Sequence, residues 1–554
     1  MNKKNQICMK KIFLSFACAF YSLILQGQVF SSSNLPIVRI NTNGIAIPDE
    51  PKITATMQVI WQQNGGTNLV SDTNYHYNGK IGIEMRGSTS QAIFPKKPYA
   101  VELRNNAGLD SSFALLGMPK EADWAFIATY NDKTLMRDAL MYHFGNKIMD
   151  YAPRRRFVEL VINGAYMGIY MVTEKIERDK NRVNISKLAT TTRTGDSLTG
   201  GYILKIDKLT GASTGGTAFF PSRLSNNGAG NNKTPYLFHY PKPEDINAEQ
   251  VNYIKNFIYN FEDLMASPNY NDSVNGYVRY INDSTFIDFW LLNEMARNVD
   301  GYRLSTYLYK DRNSIDPRLK MGPLWDFNIA LGNADYCGGN MVTGWAFQFN
   351  QVCSSDFWLV PFWWQRLFDD ARFRTKIKAR WRALRSTELS NTKILGFIDS
   401  TSTLLNQAQA RNFQRWPVLN TRVWPNPQAS GSYTGEVTYL KNWLNDRLIW
   451  MDGEIDRFSA SNTGGELNLS NFLSVSPNPS TQDFKFKYYL YIEEKMSLQI
   501  FNLAGELIEE QSVTQRDGER SLTWQPKNAA AGLYVYRLFR RGEIWKTGKI
   551  ELIR

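Results

Sequence analysis

Histidine is scarce in this sequence: His76, His143 and His239 are the only three in 554 residues. None falls in the segment 298–353, so a Ser-His-Asp triad or an imidazole-rich metal cluster has little to work with there. Cysteine is scarcer still where it counts, because Cys8 and Cys18 fall within the first 28 residues and only Cys337 and Cys353 lie beyond them. Basic runs are missing as well. The formal net charge is +12, of which Lys3, Lys4, Lys10 and Lys11 supply four, and the rest forms no Lys/Arg-rich arm of the kind that binds polyanions. Nucleic acid is therefore not an expected partner. Past the first 28 residues no apolar stretch is long enough to span a bilayer. Composition is otherwise ordinary, with 43% hydrophobic and 21% charged residues, which excludes wholesale disorder.

What is present begins with an export signal. Lys10 and Lys11 form a positive n-region, residues 12–25 an apolar core, and Gly27-Gln28 a small-residue exit. This predicts a signal peptide over 1–28 and a mature chain with no transmembrane segment. Export leads to an oxidising compartment, so Cys337 and Cys353, which bracket one Gly- and Trp-containing loop, are expected to pair as a disulfide.

Along the mature chain the patterning changes twice. Residues 35–207 read mostly as strands: 37–40, 81–85 and 99–103 alternate apolar and polar residues, and 156–162 and 166–173 flank the hairpin signal Asn163-Gly164. One helix interrupts them, with Asn131 or Asp132 as its cap and apolar residues recurring from Leu135 to Ile148. Residues 209–235 read as a long Gly/Ser/Thr/Asn loop. Helices are then predicted over 248–264, 284–297 (with Ser284 as cap), 371–384, 392–414 and 439–458, with two short strands at 304–309 and 319–324. The result is an α+β arrangement, a β-rich lobe followed by a helix-rich lobe with a cleft between them. Residues 459–471 form a Ser/Asn/Gly linker, and 472–554 repeat short strands and turns in the manner of a small all-β sandwich.

The chemistry concentrates between 298 and 353, and it is acidic. Asp300 follows a helix in Asn298-Val299-Asp300; Asp326 follows the second strand in Leu324-Trp325-Asp326-Phe327. The hairpin between them would bring both carboxylates to one edge, where they suit a hard cation or general-base work. The turn Arg86-Gly87-Ser88-Thr89-Ser90 offers a loop able to close over phosphates, and Lys96 or Lys97 opens the next strand; a solvated hairpin turn accounts for that loop equally well. Aromatics crowd the same region, with Trp345, Trp358, Trp363, Trp364, Phe347, Phe349, Phe357 and Phe362. They make either a sugar-binding platform or a core. A glycosidase using the two aspartates is a further option that rests on the pair alone.

These elements resemble the CotH family of spore-coat-type atypical protein kinases. The resemblance is carried, in order, by Met85-Arg86-Gly87-Ser88, Pro95-Lys96-Lys97-Pro98-Tyr99, Asp123-Trp124 and the run from Tyr130 to Arg137. It continues through Tyr151-Ala152-Pro153, Asn163-Gly164-x-Tyr166-x-Gly168-x-Tyr170, Glu174-Lys175-Ile176, Gly201-Tyr202-Ile203-Leu204-Lys205 and the two aspartate motifs. It implies a two-lobed protein-kinase-like domain over 29–458 that uses ATP with Mg²⁺ or Mn²⁺ to phosphorylate Ser or Thr of exported proteins. By position Asp300 would be the catalytic aspartate and Asp326 the metal-binding one. Lys97, with Glu174 as its partner, and Arg86 and Ser88 would face the nucleotide. Two positions depart from the pattern: Ser305 stands five after Asp300 where a kinase-type site often has Asn, and Asn328 stands two after Asp326 where an acid is common. Asn328 is kept as a candidate metal ligand, and a catalytically weak surface protein that binds glycans is the alternative these departures leave open. The tail resembles the type A C-terminal sorting domain of the type IX secretion system, through Pro477-Asn478-Pro479, Ile500-Phe501-Asn502-Leu503-Ala504-Gly505 and Ala531-Gly532-Leu533-Tyr534. That implies the type IX machinery of a Bacteroidota-type cell as a partner, and export through periplasm and outer membrane to the surface or medium.

Overall fold

The computed structural model describes residues 30–210, 218–226, 232–458, 473–490, 494–516, 518–540 and 542–553. The expected signal peptide and linker lie outside the described residues. The first half is built on seven strands: β1 (Ile37–Asn41), β2 (Ile53–Ile60), β3 (Tyr77–Met85), β4 (Tyr99–Arg104), β5 (Asp123–Ile127), β6 (Arg155–Ile162) and β7 (Ala165–Glu174). They close into a barrel in the order β1-β2-β3-β4-β5-β7-β6, and a parallel pairing of β1 with β6, Ile37 opposite Glu159, makes the seal. Alternation explains the interior. Ala55, Met57 and Val59 of β2 point inward with Ile81 and Ile83, Val101 and Leu103, and Val158 and Leu160. The β6–β7 turn is the expected Asn163-Gly164, with both residues at positive φ, 49° and 81°. Closure itself was not foreseen from the strand pattern, because it depends on a pairing between segments far apart in the chain.

Helix α1 (Arg137–Ile148) lies against the barrel. It begins later than its pattern suggested. Neither Asn131 nor Asp132 caps it: Asp132 is buried in the preceding turn, where it accepts from the Arg137 and Thr134 backbone amides and pairs with the Arg137 guanidinium at 2.6 Å. A second sheet follows, from β8 (Tyr202–Ile206), β9 (Phe219–Pro221), β10 (Pro235–Tyr240), β11 (Thr306–Lys310) and β12 (Leu319–Met321), in the order β9-β10-β8-β11-β12. Strand β9 stands inside the stretch expected to be loop, because Phe220 packs against Tyr236 and Phe238.

The remaining helices are α2 (Ala248–Ala266), α3 (Asp283–Ala296), α4 (Trp363–Asp369), α5 (Ala371–Arg385), α6 (Asn391–Arg415) and α7 (Tyr433–Asp456). Helix α3 is buried from Phe286 to Ala296, which explains why its sequence carries apolar residues all round. Asn282, not Ser284, sits at its N-cap position. Helix α7 starts six residues before the expected position, capped by Ser432, whose hydroxyl accepts from the Gly435 amide. Helix α6 docks on the barrel through polar contacts: Lys96, fully enclosed, donates to the Ile169 carbonyl at 2.6 Å and to Asn412 Oδ1 at 2.9 Å. No described helix is long and apolar enough to cross a membrane. The C-terminal region is all-β. β13 (Leu473–Ser476), β14 (Phe484–Leu490) and β17 (Gly518–Trp524) form one sheet, and β15 (Glu494–Phe501), β16 (Leu507–Gln515), β18 (Gly532–Arg540) and β19 (Glu543–Leu552) the other. Their inward residues Phe484, Phe486, Leu498, Trp524 and Leu538 make a core of their own.

Candidate functional site

Asp300 and Asp326 meet at the edge that the β11–β12 hairpin sets. Asp326 leaves β12 with a φ of 67°, in the left-handed region that residues other than glycine seldom enter. Two groups of α1 hold it there. The Tyr142 hydroxyl accepts from the Asp326 amide at 3.2 Å, and Asp138 Oδ1 accepts from the Phe327 amide at 2.6 Å. Asp326 is exposed to solvent, with Ser305 Oγ 3.5 Å from its carboxylate. Partial desolvation by the protein around it, then the charges of Asp300 and Asp207, push its pKa up to about 6, against the pull of Arg86. Burial, reinforced by Asp326, pushes the Asp138 carboxyl to about 8. Asp300 is part-buried, its side chain 24% exposed. Its Oδ1 accepts from Arg303 Nη2 at 2.8 Å and from the Tyr336 hydroxyl at 3.3 Å.

Besides Arg303, which holds Asp300, the cations near this pair are Arg86, as expected from the sequence, and Lys205, but not Lys97. Arg86 lies 5.3 Å over the Trp325 ring and acts on Asp326 electrostatically. Lys205 reaches in from β8, opposite Tyr307 in register, with its ammonium 3.3 Å from Asp207. Burial works to lower the Lys205 pKa, but Tyr307 and Asp207 outweigh it and the net shift is upward. Lys97, by contrast, donates its ammonium to the Gln91 carbonyl, and the Tyr170 hydroxyl donates to the Lys97 carbonyl at 2.9 Å. Ser88 is exposed at the head of a single helical turn, Thr89–Ile93, which Lys208 ties down through Thr89 Oγ1 at 3.4 Å. Glu174 is not joined to Lys97; its carboxylate accepts from Arg154 and from the Tyr151 hydroxyl inside the protein. Asn328 donates to Asn131 Oδ1 at 3.3 Å, beside Asn333. Lys205 and Asp207 were missed as site residues. Their signal was the polar pair two apart at the end of an otherwise apolar strand, and only the pairing of β8 with β11 brings it beside Asp326.

Other features of the molecule are quieter. Of the crowded aromatics, Trp345, Phe347, Phe349, Trp363 and Trp364 are buried, so most of them are core, while Phe357 is 75% exposed. Cys337 and Cys353 form the expected disulfide, with their Cα atoms 5.7 Å apart. Two large cavities, of about 950 Å³ at the barrel mouth beside Tyr166 and Arg411 and of about 890 Å³ beside Tyr151 and Lys320, are lined by neither aspartate. The acidic pair stands on an open edge. Glu102, Asp110 and Asp123 gather on the barrel, but Arg104, Lys52 and Lys175 already pair with Glu102 and Asp123.

Comparison with known proteins bears on both parts of the chain. Residues 83–451 match the family model described as CotH kinase protein, and residues 474–550 the model of a secretion system C-terminal sorting domain, as expected of the tail. No curated protein matches the chain. Among solved structures, the Pseudomonas fluorescens alkylpurine DNA glycosylase AlkC bound to DNA containing an abasic site analog is similar over 38% of this chain and 64% of its own. That match has 11% identity and a TM-score of 0.12, too slight to carry an argument.

Proposed function

The chain belongs to the CotH kinase protein family, and from that premise we propose that the edge bearing Asp300 and Asp326 binds ATP with Mg²⁺ or Mn²⁺ and transfers the γ-phosphoryl group to a Ser or Thr hydroxyl of an exported protein. The observation that carries this reading is the electrostatics of Asp326. Asp326 lies on an open edge with the carboxylates of Asp300 and Asp207 close enough to raise its pKa, and a hard divalent cation fits that acidic donor set. Such a cation would offset the charge of the β- and γ-phosphates. Asp326 would hold it from a backbone fixed by Tyr142 and Asp138, with Asn328 as a further candidate ligand. Arg86 and Lys205 would draw the phosphates toward the edge, with Ser88 and Lys97 as further candidates on the segment that links β3 to β4. Asp300 would accept the proton of the attacking hydroxyl as that oxygen bonds to the γ-phosphorus and the bond to the β–γ bridging oxygen breaks, releasing ADP. On this reading the barrel and the helical half act as the two lobes of a kinase-like domain. The sorting tail supports delivery by the type IX machinery to the cell surface or medium.

Calorimetric titration of ATP, with and without Mg²⁺ or Mn²⁺, into the protein lacking its tail tests this. Micromolar to millimolar binding that requires the cation is the expected result; no cation-dependent affinity would sink it. A second reading, a catalytically silent protein that binds glycans, draws support from Trp424, 52% exposed and stacked on Tyr336 beside Asp300. Glycan binding without nucleotide affinity would favour it.

A further inference from the structure

Asp300 sits in a segment that its own backbone preferences do not hold. Between α3 and β11, Arg297, Tyr302 and Ser305 all take positive φ, at 40°, 71° and 47°. Three such residues in so short a stretch persist only where surrounding contacts impose the conformation. One guanidinium supplies many of those contacts. Arg303, 2% exposed at its side chain, donates from Nε to the Val299 carbonyl at 2.9 Å and from Nη2 to Asp300 Oδ1 at 2.8 Å. Its Nη1 reaches Asp356 Oδ1 at 3.2 Å and the Trp358 carbonyl at 2.9 Å, and the Arg303 Cζ lies 3.9 Å from the Phe349 ring centre. All of these outer contacts come from the segment 349–358 around Cys353.

The disulfide ties that segment, at Cys353, to Cys337. Tyr336, next to Cys337, brings its hydroxyl to Asp300 from one arm; Phe349 and Asp356 flank Cys353 on the other, and the Asp356 amide donates to the Cys353 carbonyl. The Cys337–Cys353 bond joins the arm that touches Asp300 directly to the arm that touches it through Arg303. Both hydrogen bonds fall on Oδ1. Among the described residues no hydrogen bond reaches Asp300 Oδ2, so the clasp fixes the carboxylate by one oxygen and leaves the other to take a proton.

We propose that Arg303 is a positioning residue for Asp300 and that the Cys337–Cys353 disulfide assembles the clasp, so that the site is complete only in the oxidised chain. The catalytic part of this inference rests on the kinase reading above; the structural part does not. Reduction, in which a dithiol reductant such as dithiothreitol is oxidised as the bond becomes two thiols, would free the Tyr336 arm from the Phe349–Asp356 arm. Arg303 would then lose the loop side of its grip and Asp300 its orientation.

The test uses the full mature chain as wild type, Arg303→Met, Arg303→Lys and the double variant Cys337→Ser/Cys353→Ser, plus wild type treated with dithiothreitol. Two quantities are read: phosphoryl transfer, as kcat against the ATP KM, and hydrogen–deuterium exchange of peptides covering 297–305. A misplacement on the scale of 1 Å costs about 100-fold in rate. Arg303→Met and both disulfide-free forms should lose about 10- to 100-fold in kcat with the ATP KM within about twofold, and exchange should quicken over 297–305 while the barrel peptides hold. Arg303→Lys should recover part of kcat, since it keeps a charge for Asp300 but not the fork that also reaches the loop. Equal movement of kcat and KM, faster exchange throughout the domain, or no response to loss of the disulfide would each overturn the proposal. If the wild type transfers no phosphate with either cation, the kinase reading falls and exchange alone decides: quickening confined to 297–305 upholds the clasp, and none refutes it.

Discussion

The two walls of the candidate site are built to different standards. On the hairpin wall each aspartate is held by groups buried behind it: Asp326 by Tyr142 and Asp138 through the backbone, Asp300 by Arg303. Behind these, Glu294 and Arg447, both fully buried, pair at 3.2 Å, and Glu294 also accepts from the Ala346 and Phe347 amides and the Tyr302 hydroxyl. The barrel wall is different. Gly87 and Ser88 are exposed, and the turn that follows has no side-chain cap. A wall that must set a carboxylate to within a fraction of an ångström needs such support, whereas one that only closes over phosphates works better when it yields.

The sharpest break in this comparison should come from the aspartates themselves. Asp300→Asn keeps the shape and loses the base, so phosphoryl transfer should fall about 10²- to 10⁴-fold while cation-dependent ATP binding holds. Asp326→Ala should instead abolish the cation dependence of binding, measured by calorimetry. If the two variants fail alike, the division of roles is wrong.

The support behind the hairpin wall is next. Glu294→Ala leaves Arg447 buried without its carboxylate and strips two loop amides, which should cost about 3–5 kcal/mol in a denaturant titration. Ser88→Ala, on the yielding wall, should stay within about 0.5 kcal/mol.

A smaller effect separates the cations. Lys205→Ala should raise the ATP KM about tenfold, against less than about twofold for Lys97→Ala, whose ammonium is already engaged by the Gln91 carbonyl. Equal effects would move the phosphate site toward Lys97.

The smallest concerns pH. Burial holds His239 at about 4 in the folded chain, against 6.5 when unfolded, and its Nε2 stands 2.6 Å from the Ile176 carbonyl. Between pH 6.5 and 4 the unfolded chain therefore binds more protons, and this residue's share of stability is lost as pH falls through that window. Asp138, raised to about 8, acts in the opposite sense and loses stability as pH rises from 3.8 to 8. Comparing His239→Asn with wild type isolates the first term. The variant should flatten the acid slope between pH 6.5 and 4 by on the order of 1 kcal/mol, in melts at fixed ionic strength.

The sequence by itself determined a good deal, wherever the signal was local. Alternation and the Asn163-Gly164 signal gave five of the seven barrel strands and their last hairpin, and two cysteines in an exported-type chain gave the disulfide. The order of motifs pointed to the family, and the two aspartates flanking a short hairpin were legible because strand pairing fixes where a hairpin's ends lie. What the tertiary structure alone decided were the relations between distant segments. Barrel closure pairs residue 37 with residue 159. Lys205 and Asp207 enter the site only because β8 lies beside β11, and Glu174 turns to Arg154 and Tyr151 instead of Lys97. Arg303 reads in sequence as one more arginine among many; burial and the loop folded over it make it the grip on Asp300. Such side chains carry no periodicity or spacing of their own, since their partners lie tens to hundreds of residues away and are chosen by packing.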